Sequence, residues 1–319
     1  MEVDFPENEY KTFRRESFSE AQLQTYLSQH FQRMELLNSI EQHHNFKLQS
    51  YLHSGNWFMQ LRFPKESIQW YRKFFTYYSK HEDKLTTSER SGLVHMVSYS
   101  YSVQAENYAK IGYLDSAKIQ HKRNIKFIKP YTIISKPSAY NNYGLFYYWN
   151  KKELDSSLIY FNKAYNITQE HFPNHTLLGS IRDNIADIYY DSKMFDKALK
   201  FYSQNFDFYK DAINEKSHVR DIPRLISAGS QEISTLIQLN RIDAAQQTLN
   251  ELQLIMDDPL NTADIWSSSR LEFLTAKSNL YAKQEDFTQA YTTLLETQVL
   301  SNSNHELTIN SEKKWREEL

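Results

Sequence analysis

The chain has 319 residues, with 37 Lys and Arg against 39 Asp and Glu and a net charge of −2. Charges of both signs are interspersed, so composition carries no basic field of the kind that phosphate binding needs, and the lack of Cys excludes disulfides and thiolate metal sites. No run approaches the roughly 18 apolar residues of a membrane helix, and six glycines with seven prolines predict long helices joined by short turns.

The start, Met1-Glu2-Val3-Asp4-Phe5-Pro6, is acidic and lacks the apolar core of a signal peptide. A cytoplasmic location is expected, the alternative being a periplasmic sensor segment of a membrane-anchored regulator. Ser17 to Glu20 is a capping-box pattern. Leu23, Leu27, Phe31, Met34, Leu37 and Ile40 follow at helical spacing. Residues 1–45 therefore read as an N-terminal extension with a capping helix.

Helix pairs follow over 46–300. The first has Tyr51, Gly55 and Phe58 on one helix, then Pro64 and Ser67 leading into Trp70 and Tyr71. Thr86 to Glu89 is a second capping box, opening the helix of Tyr101, Ala105 and Tyr108. Gly112 lies in the next turn, and Pro130 and Pro137 separate the second pair from the third. The third pair runs through Asn141-Asn142-Tyr143-Gly144, and its turn, Trp149 to Glu153, is one residue longer than the others. Pro173 precedes the fourth pair, Pro223 opens the fifth and Pro259 closes it, and Asn261 to Asp264 caps the sixth. The charged tail, 301–319, reads as a C-terminal cap or connecting helix.

A small residue near the start of each second helix recurs six times: Ser67, Ala117, Ser157, Ala198, Ala245 and Ala290, spaced by 50, 40, 41, 47 and 45. Four residues later stands a large side chain: Tyr71, His121, Phe161, Tyr202, Leu249 or Leu294, of which His121 fits least. Three residues earlier, in five of the six, comes an apolar turn residue: Leu114, Leu154, Phe195, Ile242 or Phe287. Two antiparallel helices approach closely only where a side chain is small. Gly55, Ala105, Gly144, Ala186 and Ser278 are expected to face these positions, and Ile233 in the fifth pair departs from the rule. Self-similarity at this period predicts stacked helical hairpins, none able to bury its apolar face alone.

These residues resemble the tetratricopeptide repeat. The best matches are Ile185-Ala186 with Tyr189, Ala198 and Tyr202, and Tyr143-Gly144 with Tyr147, Ser157, Phe161 and Ala164. The family repeat is about 34 residues, so each hairpin here is one or more helical turns longer. The resemblance implies an all-α, right-handed superhelical solenoid of about six hairpins, similar to the long-repeat sensory arrays and peptide-binding arrays of bacterial regulators. In such arrays the first helices line a concave groove. By family register that lining includes Asn56, Met59 and Gln60; Glu106 and Lys110; Asn141, Leu145 and Tyr148; Asp183, Asp187, Tyr190 and Asp191; Ser230 and Ser234; Asn279 and Lys283.

The expected ligand-binding residues are Asn56, Lys110, Asn141, Tyr148, Asp183, Asp187 and Tyr190. Asp183, Asp187 and Asp191 share one helix face, where like charges at i,i+4 repel by about 0.2–0.5 kcal/mol. They call for a basic partner, or for neutralisation by Lys or Arg of the fifth pair or by solvent. The Lys and Asn clamp with which some tetratricopeptide domains hold a chaperone's C-terminal carboxylate is not reproduced. His43-His44 and His171 with His175 lack metal-ligand geometry, and no phosphate loop, nucleophile elbow or zinc-protease pattern occurs. The expectation is a non-catalytic binding module without a cofactor. Its partner would be a peptide or protein, basic in one variant of the reading, and not nucleic acid. It would serve as the sensory or scaffolding part of a bacterial regulatory system, the alternative being an assembly scaffold acting by self-association.

Overall fold

The structure is a computed structural model, which describes residues 43–60, 62–214, 221–261 and 264–318, together with 32, 35 and 36. The expected capping helix over 17–40, and Thr262 and Ala263 of the expected sixth cap, lie outside the described residues. Among the described residues from 43 onwards twelve α-helices follow in order: α1 His44–Gln60, α2 Pro64–His81, α3 Thr87–Lys110, α4 Leu114–Ile128, α5 Ser135–Leu145, α6 Leu154–His171, α7 Leu177–Asp191, α8 Phe195–Asn214, α9 Ile222–Gln238, α10 Ile242–Asp257, α11 Ser267–Lys283 and α12 Phe287–Glu318. A 3₁₀ turn, Glu82–Lys84, follows α2, and a π-helix, Phe146–Lys151, continues α5. The described residues form no strand.

The chain divides into two compact units, Met1–Lys151 with Ile309–Leu319, and Lys152–Thr308. The third expected pair straddles this division, since α5 belongs to one unit and α6 to the other. In the first unit Leu48, Leu52, Tyr71, Phe74, Leu93 and Val97 form the core. In the second, Leu225, Ile226, Ile233, Leu249, Leu252, Phe273 and Leu280 do so.

The helix starts obey the local rules. Thr86 accepts from the Glu89 backbone N–H at 3.2 Å, while the Glu89 carboxylate accepts from the Thr86 backbone N–H at 2.8 Å, a complete capping box. Pro64 and Pro223 sit in first helical turns, where a missing N–H costs nothing. Leu114, Leu154, Phe195, Ile242 and Phe287, expected as turn residues, are instead the first residues of their helices.

The close approach within the hairpins is visible at both ends of the array. Ser67 donates its hydroxyl to the Gly55 carbonyl at 2.6 Å, and Ser278 donates to that of Ala290 at 2.8 Å. A Cβ on Gly55 would stand 2.9 Å from the Tyr71 ring, so a larger residue there would push the pair apart. The departure at Ile233 has a local cause. The tight approach in the fifth pair moves one turn earlier, to Gly229, where a Cβ would stand 2.7 Å from Leu252 Cδ1. Ile233 is then free to fill the core.

Each hairpin turn contains one residue in the left-handed region: Arg62, Gly112, Lys152, Lys193, Asn240 and Glu285, with φ between 57° and 84°. Each lies five residues before the small residue of its repeat. In five of the six the turn closes with the same pair of bonds. At Lys193, for example, the Lys193 N–H reaches the Tyr190 carbonyl at 2.9 Å and the Met194 N–H reaches that of Tyr189 at 2.8 Å. This is the Schellman closure of a helix C-terminus. Lys152 differs because a π-helix precedes it. The wider turns of Phe146–Lys151 take up the extra residue of the long third turn.

Candidate functional site

In the second unit α7, α9 and α11, the first helices of the last three pairs, line a cleft of about 440 Å³. Asp187 and Tyr190 come from α7. Ser230, Gln231 and Ser234 come from α9, and Leu271, Glu272 and Thr275 from α11, while Tyr202 of α8 reaches in from behind. The i, i+3, i+4 spacing of a helix face places each set on one side.

The charges in this cleft are not freely solvated. The Tyr202 hydroxyl donates to Asp187 at 2.6 Å, and Asn205 Nδ2 donates to Asp183 at 2.6 Å. Burial pushes the Asp183 carboxyl up to about 7, helped by the charge of Asp187 and opposed by the Asn205 hydrogen bond and by Arg224. Burial also pushes Asp187 up to about 6, with Asp191 and Glu272 adding to it and the Tyr202 hydrogen bond opposing it. Arg224, on α9, pairs with Asp221 at 3.1 Å and donates to Ser180. The aspartate stripe is thus relieved by two side-chain donors, by an arginine of the fifth pair and by raised proton affinity. Asp191 is exposed. Tyr190 meets Phe195 edge-on at 5.2 Å.

The expected site residues separate. Asp187 and Tyr190 line the cleft, and Asp183 stands one turn further back on the same helix. Ser230 and Ser234 line it as the register implied. The sixth pair contributes Leu271, Glu272 and Thr275 rather than Asn279 and Lys283, because the first half of α11 faces α9 across the opening. Gln231 and Glu272 were not foreseen. The signal that would have found Glu272 is an acidic residue between apolar Leu271 and Phe273, eleven residues before Lys283.

The remaining expected residues belong to the first unit. Asn56 accepts a hydrogen bond from Tyr71, so its carbonyl oxygen is engaged. Lys110 pairs with Glu106 at 2.6 Å on the same helix, both half exposed. Asn141 and Tyr148 are only 5 % and 6 % exposed. The structure moves them from an open groove to the interior, where they have almost no surface to offer a ligand.

The first unit holds a larger cavity of about 790 Å³, formed by residues that carry no motif in the sequence. It is lined by His44, Lys47, Tyr51, Arg72, Lys73, Thr76, Tyr77, Lys80, His81 and Lys84, without a carboxylate. The expectation of no basic field is corrected here. Overall charge balance averages over the chain, whereas helix periodicity on α2 gathers cations on one face.

Residues 135–211 match the tetratricopeptide repeat family model, a stretch that contains both best-matching pairs of the sequence. Among solved structures, BtubC (BKLC) from P. vanneervenii is similar at 16 % identity and a TM-score of 0.59, with 77 % of this chain and 91 % of that chain covered. PH0952 from Pyrococcus horikoshii, a signal transduction ATPase with numerous domains and a tetratricopeptide repeat sensor, gives 13 % identity and a TM-score of 0.61. That match covers 92 % of this chain but 42 % of the other. The apo form of RapI gives 14 % identity and a TM-score of 0.57, over 90 % of this chain and 80 % of its own. No curated protein matches the sequence. At these identities the likeness concerns the fold, an all-α tetratricopeptide-type solenoid. No helix among the described residues is long and apolar enough to cross a membrane.

Proposed function

We propose that this tetratricopeptide-type array is a non-catalytic binding module that holds a peptide or protein segment through the α7–α9–α11 cleft. A basic side chain of the ligand lies against Asp187 and Glu272. The observation that carries the reading is that Asp187 and a second, exposed carboxylate, Glu272, line one cleft from facing helices. Two acids that repel each other gain most from an incoming cation, and the flanking hydroxyls and amide of Ser230, Ser234 and Gln231 suit a peptide backbone. A sensory place in a regulatory system is in keeping with the similarity to a protein described as carrying a tetratricopeptide repeat sensor.

The test is a randomised peptide library screened on wild-type protein and on Asp187→Asn with Glu272→Gln. Arg or Lys enriched at one position by wild type and lost in the variant is the expected result. Enrichment indifferent to charge, or unchanged in the variant, overturns the reading.

A second reading, assembly by self-association, is favoured by α12. Phe287, Tyr291 and Leu294 stand exposed on one side of it. Light scattering across a concentration series separates the two. A mass that rises with concentration, and stays monomeric in Tyr291→Glu with Leu294→Glu, supports assembly; a constant monomer mass rejects it.

A further inference from the structure

We propose that the first unit carries a second binding site, for a small ligand bearing clustered phosphate groups, in the cavity between α1, α2 and the 3₁₀ turn. Position on the helix builds it. Arg72, Thr76 and Lys80 follow at i, i+4 and i+8 on α2, with Lys73, Tyr77 and His81 beside them, so six residues of one helix turn a single face, rich in cations, to the cavity. Lys84 extends that face by a turn, and Lys47 meets it from α1.

The decisive residue is Lys47. It is 9 % exposed, lines the cavity, and has no carboxylate partner among the described residues. Its recorded neighbour is the Tyr77 ring, 5.6 Å from the ammonium to the centroid. Like charges gathered around one opening repel one another and focus a positive field into it, so an anion seated among them is favoured. Among the described residues the contacts of Arg72 and Lys73 are with neutral groups. Arg72 donates from Nε and Nη2 to the Tyr108 hydroxyl at 3.2 and 3.0 Å, and Lys73 lies 3.9 Å over the Trp70 ring. Two nearby acids are already engaged. Glu82 accepts from Tyr78 at 2.9 Å, and Glu89 is held in the Thr86 capping box.

Aromatic contacts hold the wall in place. Tyr77 stacks on His81 at 4.2 Å, His81 stacks on His44 at 4.6 Å, and His44 Nδ1 lies 2.8 Å from the Tyr77 hydroxyl. His44 is held below its ordinary range by desolvation and then by the positive charges of His81, Lys84 and Lys47, so the local field is positive. Five Lys and Arg around one opening exceed what a single carboxylate would neutralise, whereas several phosphates would match them. The cavity volume is that of a small-molecule site rather than of a track for a polynucleotide.

The experiment is calorimetric titration of the full chain with tripolyphosphate, ATP and citrate at 0.05 and 0.15 M salt. It is repeated on Lys47→Met and on Lys73→Glu with Lys80→Glu, each checked for fold by circular dichroism. One tripolyphosphate per chain is expected, bound more tightly than citrate, weaker at higher salt, and weakened at least tenfold in either variant. ATP binding more tightly than tripolyphosphate identifies a nucleotide as the source of the phosphates, and equal binding identifies the phosphates alone. The proposal is overturned by absent saturation, by citrate binding as well as tripolyphosphate, by full retention in the Lys73→Glu, Lys80→Glu variant, or by single-stranded RNA binding where tripolyphosphate does not. Lys47→Met and the double substitution remove charge from the interior and from the exposed wall respectively, so misfolding of one leaves the other to decide.

Discussion

The Tyr202 hydroxyl donates to Asp187, fifteen residues earlier, and the Tyr71 hydroxyl donates to Asn56 across the same separation. The two tyrosines hold the same place in their repeats, four residues after Ala198 and Ser67. Their acceptors directly follow the facing small residues, Ala186 and Gly55. In the third repeat the equivalent positions are Leu145 and Phe161, which have neither acceptor nor hydroxyl. The large residue that wedges a hairpin thus also orients a polar residue of the first helix. Tyr202→Phe is expected to cost about 0.5–3 kcal/mol, since it removes a hydrogen bond to a charged group. It is also expected to raise the Asp187 carboxyl further above about 6, because the bond removed opposes that rise. Denaturation midpoints and carboxyl NMR titration check both; an unmoved Asp187 titration contradicts the account.

The left-handed turn residues give a stability prediction. Five of the six are not glycine, and a left-handed residue with a Cβ is strained by roughly 1–2 kcal/mol. Lys193→Gly and Glu285→Gly, both exposed, should each stabilise by about 0.5–1 kcal/mol after the added unfolded-state entropy is subtracted. Gly112→Ala should destabilise by about 1 kcal/mol, although a Cβ there meets nothing within 4 Å, because its φ is +84°. Urea denaturation of the three variants reads these signs directly.

Acid pH should stabilise the second unit. An unfolded Asp titrates near 3.8, whereas Asp183 and Asp187 in the folded chain titrate near 7 and 6. Between these values the folded state binds more protons, so this contribution is full below about pH 4 and is lost as pH rises through 6 to 7. Asp183→Asn keeps an acceptor for Asn205 and should flatten the dependence, with a gain on the order of a few kcal/mol at pH 8. Denaturation at pH 5 and pH 8 compares the two; a wild type equally stable at both pH values removes the basis for the claim.

His121 gives the opposite sign in the first unit. Its ring stacks on Tyr143 at 5.0 Å and 15°, and burial pushes it down to about 3. The unfolded chain takes up the proton near 6.5, so stability is full above that value and is lost as pH falls from 6.5 towards 3. His121→Phe keeps the stack, removes a buried Nδ1 that has no hydrogen-bond partner, and should abolish this acid sensitivity. Hydrogen exchange at pH 5, read separately on the α4–α5 amides, measures it.

The sequence alone determined the hairpins. Proline placement, capping boxes and recurring small residues are local signals, because helix starts and tight helix pairs depend on residues a few turns apart. Even His121, the poor fit in its repeat, occupied the aromatic place that the period assigned it. Tertiary structure decided the rest. The left-handed turns were hidden because Arg, Lys and Glu do not announce that conformation, and only the imposed closure of each hairpin makes them adopt it. The shift of the tight contact from Ile233 to Gly229, the burial of Asn141 and Tyr148, and the entry of Glu272 into the cleft all depend on how neighbouring helices are rotated. Lys47 shows the reason most directly: a single lysine in a balanced composition joins a cluster of cations only when α1 is laid against the basic face of α2.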